Sequence, residues 1–131
     1  MHKRVMAALL ALGAVIAVPA QSQAPQVSLC KGQPVTIRYS EIKPGQYELF
    51  KRAVAEHNAW YAANKNATRT QIIRLTKRSG TNVSFDDGAA MTMTVYDKKP
   101  QPTQDAAYEA FVKDYRDSSV LKDEHRGCMG G

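Results

Sequence analysis

The side chains best suited to chemistry lie in one helical stretch and two strand-like ones. The helical stretch is GQYELFKRAVAEHNAWYAAN, residues 45–64, which holds the chain's single Trp and sets His57, Trp60 and Tyr61 within about one turn of each other. Positions three and four apart share a helix face, so Phe50, Ala53, Val54, His57, Trp60 and Tyr61 form one stripe. An imidazole inside an apolar seam has its proton affinity set by burial, and such a ring serves as acid, base or iron ligand. The same ring also serves as a core group bonded to a backbone carbonyl, and that is the preferred reading of His57, with catalysis as the alternative.

The strand-like stretches each carry one arginine, Arg38 in VTIRYS and Arg74 in IIRLT. A guanidinium facing inward clamps a carboxylate or phosphate through parallel N–H donors; one facing outward pairs with a surface acid such as Glu41. Alternation alone does not say which face is wet. The candidate ligand-binding set is therefore Arg38, His57, Trp60, Tyr61 and Arg74.

Other chemical patterns are absent from the sequence. Asp86 and Asp87 precede Gly88 as turn residues, without the spacing of a calcium loop. No Cys/His metal spacing, nucleophile elbow, Walker loop or dinucleotide glycine pattern occurs, so no motif requires a metal or a cofactor. Lys77 with Arg78, and Lys98 with Lys99, read as solvated surface; nucleic acid is not an expected partner. Most of the six tyrosines, and Met91 with Met93, read as core or rim.

The start of the chain constrains where it works. MHKRVMAALLALGAVIAVPA opens with Lys3 and Arg4, runs apolar from Val5 to Val18 and ends in small residues, the layout of a secretory signal peptide cut after Ala20. Its apolar run is short for a membrane span, so no stable anchor is expected after cleavage, and the location is periplasmic or secreted. Removing Lys3 and Arg4 lowers the formal charge of +6 by two. Residues 21–131 then suffice for one small domain, a size that gains from a covalent staple or a second copy. Cys30 and Cys128 lie near the two ends of that domain. In an exported protein they are expected to form an intrachain disulfide, which on the chain-entropy model stabilises by about 4 to 5 kcal/mol.

Elements follow from period and punctuation. Residues 21–33 read as a tether. Val35, Ile37 and Tyr39 alternate with Thr36, Arg38 and Ser40 as a half-buried strand ended by Pro44 and Gly45. A helix over residues 46–63 follows, with Asn64, Lys65 and Asn66 as its stop, since Asn tolerates the left-handed turn that ends helices. Residues 68–77 form a second strand, residues 78–88 a turn-rich connection, and residues 89–97 a third strand. Thr103 is the expected cap of a second helix over residues 104–118, with Tyr108, Phe111, Val112 and Tyr115 on one stripe. Residues 119–131 are a tail without a convincing strand. The order strand, helix, strand, strand, helix is most of a split βαβ unit, an antiparallel sheet with two helices on one face.

The run VTIRYSEIKPG leading into YELFKRAVAEHNAWYAAN, then a hairpin and an aromatic-lined helix, resembles the dimeric α+β barrel superfamily, ferredoxin-like in topology. That group includes proteins similar to antibiotic-biosynthesis monooxygenases. The similarity covers residues 34–118 and matches no catalytic motif. It implies a homodimer whose sheets pair through the face without helices. With Val35, Ile37 and Tyr39 toward the helices, Thr36, Arg38 and Ser40 would line the barrel interior. No family role transfers to His57, because the motif by which some of these barrels hold haem through a helix His is not found here. Three functional classes are expected: a binder of a small anionic or aromatic molecule, from the semi-polar sheet face beside the aromatic helix stripe; a monooxygenase-like enzyme, cofactor-free or haem-dependent, with His57 as base or iron ligand; or a structural dimerisation module.

Overall fold

The computed structural model describes residues 29–130, so the expected signal peptide and most of the tether lie outside the described residues. The elements are β1 (Gln33–Ile42), α1 (Tyr47–Ala63), β2 (Arg69–Ser79), β3 (Asn82–Val95), α2 (Ala106–Ser118) and β4 (Ser119–Met129). The strands form one sheet in the order β2-β3-β1-β4, every neighbouring pair antiparallel. This βαββαβ order, with β1 and β3 central, is the ferredoxin-like α+β fold.

The tail over residues 119–131, in which no convincing strand is expected, supplies β4 over Ser119–Met129, which runs along β1 from Gln33↔Met129 to Ile42↔Ser119 with a bulge at Tyr39/Ser40. SVLKDEHRGCM lacks an apolar alternation because β4 is an edge strand, largely exposed and defended by charge. Its place comes from backbone pairing and from the Cys30–Cys128 disulfide, which joins the start of β1 to the end of β4. The chain approaches itself closely there: a Cβ on Gly32 would lie 1.9 Å from the carbonyl oxygen of Gly130.

Three further expectations need correction. The β2–β3 connection is a two-residue turn, Gly80–Thr81, between the paired Ser79 and Asn82. Gly80 takes φ +60°, the conformation that a hairpin turn with Gly first requires. Asp86 and Asp87 lie not in that turn but in an irregularity of β3, where the register jumps between Arg74/Ala90 and Thr76/Phe85. The left-handed residue after α1 is Lys65 at φ 52°, not Asn64.

The cap of α2 is Asp105 rather than Thr103. Its Oδ1 accepts from the Tyr108 amide and from Trp60 Nε1, each at 3.0 Å, so one carboxylate both starts α2 and satisfies a buried indole of α1. Asp105→Ala is expected to destabilise the protein by about 2 kcal/mol, combining a lost cap with an unpaired buried donor. The check is a lowered urea midpoint at unchanged slope, with Asp105→Asn keeping much of the wild-type stability because its amide oxygen can accept the same two hydrogen bonds.

The faces of the sheet are opposite to the conditional reading. Toward the helices point Thr36, Arg38, Ser40 and Ile42 of β1, with Ala90, Thr92 and Thr94 of β3 and Thr70 and Ile72 of β2. Ile42, Phe50, Val54 and Ala90 make one core cluster, with Ile72, Tyr47 and Tyr115 against it. Trp60, Tyr61 and Phe111 make a second, between the helices. Buried threonines are tolerated because their hydroxyls pair: Thr70 with Thr94 at 2.8 Å, Thr36 with the Tyr96 hydroxyl at 3.0 Å. Ile37, Tyr39, Met91, Met93 and Ile73 point the other way, onto a face that neither helix covers; Tyr39 is 37% and Ile73 42% exposed.

Candidate functional site

Between the helices and the sheet lies a polar, aromatic layer built by three elements of the sheet's helix side. β1 supplies Arg38, α1 supplies His57 and Tyr61, and α2 supplies Tyr115. β4 adds Glu124, directly opposite Arg38 in the ladder.

Arg38 donates from Nε to Glu124 Oε2 at 2.7 Å, with both side chains about a third exposed, at 34% and 29%. Burial works to lower its proton affinity, yet the hydrogen bond and charge of Glu124 outweigh it and hold the guanidinium above its ordinary pKa. Reciprocally, the hydrogen bond from Arg38 holds Glu124 below the usual carboxylate range against the cost of burial. Arg126 adds a longer contact to the other oxygen of Glu124, 3.4 Å. A guanidinium has five N–H donors. Among the described residues only Nε of Arg38 is engaged, which leaves its terminal nitrogens for a ligand.

His57 is stacked on Phe111 with ring centroids 4.4 Å apart and tilted against Tyr61 at 5.0 Å. Its Nδ1 lies 3.1 Å from the Tyr115 hydroxyl. Burial, reinforced by the charge of Arg38, pushes the imidazole down to about 4, so it is neutral at pH 7. Burial likewise raises the Tyr115 phenol, which stays protonated. Two proton arrangements are open to the pair. The phenol donates to Nδ1 and Nε2 carries hydrogen, or Nδ1–H donates to the phenol oxygen and Nε2 keeps its lone pair. In the first, Nε2 can only donate; in the second, it keeps a lone pair able to take a proton.

Tyr61 donates to Gln101 Oε1 at 2.7 Å and is pushed up to about 12, chiefly by burial. It ties the layer to the loop before α2. Trp60 is 5% exposed and packed among Tyr61, Tyr108 and Phe111, with its N–H given to Asp105, so its polar atom is spent on the fold. Arg74 is separate from this layer: it sits on β2 with Asp87, Phe85 and Tyr47.

The structure thus brings Arg38, His57 and Tyr61 together, places Trp60 behind them and sets Arg74 elsewhere. Sequence reasoning missed Tyr115 and Glu124 as members. Tyr115 was visible on the stripe of α2, where its spacing marked it as core. Glu124 gave no signal, because its role depends on β4 pairing with β1.

No protein-family model matches the chain, and no curated protein matches it. Among solved structures, one described as "Putative antibiotic biosynthesis monooxygenase from Nitrosomonas europaea" is similar at 20% identity and a TM-score of 0.47, over 75% of this chain and 97% of that one. The ferredoxin-like assignment rests on the strand order itself.

Proposed function

We propose that this chain is an exported homodimeric protein that binds a small anionic molecule with an aromatic or apolar body in the layer between helices and sheet. The observation that carries the reading is the Arg38 guanidinium. Glu124 holds it through one nitrogen, and the guanidinium charge acts on three neutral aromatic groups of the same layer, His57, Tyr61 and Tyr115. A fixed planar fork suits a carboxylate or phenolate, and aromatic neighbours suit a flat body.

The homodimer is supported by the bare side of the sheet. Ile37, Tyr39, Ile73, Met91 and Met93 make an apolar surface on a chain whose core is small, and a second copy presenting the same surface would cover it through a two-fold interface. Export is supported by the leader's composition and agrees with the disulfide, since such bonds persist in oxidising compartments.

A second reading, monooxygenase-like catalysis, is favoured by one observation: a neutral imidazole at pH 7 in the same layer as a guanidinium. His57 Nε2 with its lone pair would take a proton from a bound phenol or activated C–H, and Arg38 would hold the resulting oxyanion.

Native mass spectrometry of protein recovered from its own periplasm or medium tests the proposal. A dimer carrying a small adduct, with the adduct lost in Arg38→Gln and the dimer kept, is the expected result. A dimer without adduct supports the dimerisation module instead, and a monomer across micromolar concentrations overturns the pairing.

A further inference from the structure

Arg74, set apart from the layer above, lines a groove of its own. A cavity of about 490 Å³ opens between the start of α1 and the β2–β3 ribbon, lined by Gly45, Tyr47, Glu48, Lys51, Arg74 and Asp87. That is the size range of small-molecule sites.

The cations are pre-positioned. The Arg74 guanidinium carbon lies 3.9 Å from the Phe85 ring centroid and 5.4 Å from that of Tyr47, while Lys51 Nζ lies 5.8 Å from the Tyr47 centroid. Aromatic stacking orients a guanidinium without using its N–H donors. One donor, Nη2, is given to Asp87 Oδ1 at 2.9 Å; among the described residues the others have no partner. Lys51 similarly meets Glu48 Oε1 at 3.0 Å.

Both ion pairs are solvent-facing, with Arg74 and Asp87 side chains 43% and 62% exposed, and exposed pairs are held only weakly. A carboxylate from outside can therefore replace Asp87 at little cost. The guanidinium keeps its contacts with Phe85 and Tyr47 when Asp87 is displaced.

We propose that this groove is a second binding site, taking an oxyanion, carboxylate or phosphate, on Arg74 with Lys51 beside it. Asp87 occupies the position of the ligand's anionic group and competes with it. The proposal is independent of the function assigned to the Arg38 layer.

The test is a ¹H–¹⁵N NMR titration of the purified chain with inorganic phosphate, with acetate and with chloride at matched ionic strength. Saturable shifts at the amides of Gly45, Tyr47, Arg74 and Asp87 are expected with phosphate or acetate and not with chloride; the stronger of the two identifies the source of the oxyanion. Arg74→Gln should weaken binding by roughly tenfold, since a charge-assisted fork is lost. Asp87→Asn should tighten it by about threefold, because an exposed competing pair contributes under 1 kcal/mol. Shifts equal in all three salts overturn the site. So does an Asp87→Asn variant that binds no better than wild type, a result that stands even where Arg74→Gln fails to fold.

Discussion

Replacing both cysteines in a Cys30→Ser/Cys128→Ser variant is expected to lower stability by about 4 to 5 kcal/mol, the largest effect of any change considered. The sulfurs close a loop of sequence separation 98, which is nearly all of the folded chain, so the unbridged denatured state gains the entropy of a free chain. The native state loses something as well. The bridge fastens the end of an edge strand whose side chains are mostly exposed, and little apolar burial holds that strand otherwise. For a domain of this size the melting temperature should fall by roughly 15 °C or more, read by circular dichroism on the variant and on wild type with reductant. Intact mass of the wild type with and without reductant must differ by two protons. A variant that melts with the wild type would mean that β4 is held by pairing with β1 alone.

The second large effect is a loss of stability in mild acid that belongs to His57. In the unfolded chain its imidazole titrates near 6.5; in the folded protein burial and then the Arg38 charge push it down to about 4. Above pH 6.5 both states are neutral and the ring contributes no pH dependence. As pH falls from 6.5 toward 4 the unfolded state binds a proton that the folded state refuses, so stability drops, by about 3 kcal/mol over the window. Carboxylates held low, such as Glu124, also lose stability in acid, so the comparison must be with His57→Phe, which keeps them. Phenylalanine preserves the ring packing on Phe111 and Tyr61 and removes the titration. The unfolding free energy of wild type minus that of His57→Phe, measured in urea from pH 4.5 to 7.5, should fall steadily toward acid. Parallel curves would place the imidazole in contact with solvent.

The same residue marks how far the site was legible. The α1 stripe showed that His57 lies with Trp60 and Tyr61 on the inward side, because helical spacing is a local property. It did not show that Tyr115 would meet Nδ1, which requires α2 to pack across α1. Arg38 was legible as a mid-strand cation of unknown face. Its partner Glu124 was not, since strand alternation is symmetric between faces and β4 carries no apolar period. The threonines were harder still: Thr36 was expected on the barrel interior, yet it is buried on the helix side with Thr70 and Thr94, where Thr36 accepts from the Tyr96 hydroxyl and Thr70 pairs with Thr94.

From the sequence by itself came the two helices, the first three strand segments, the split βαβ order and the pairing of two cysteines, all consequences of short-range spacing or of an even cysteine count in a chain with an export-type leader. Tertiary structure alone decided which face of the sheet meets the helices, that residues 119–129 become β4, and that Arg38, His57, Tyr61, Tyr115 and Glu124 share one layer while Arg74 does not. The physical reason is that backbone hydrogen bonding between distant strands is blind to side-chain pattern, and side chains acquire their neighbours only after that pairing is set.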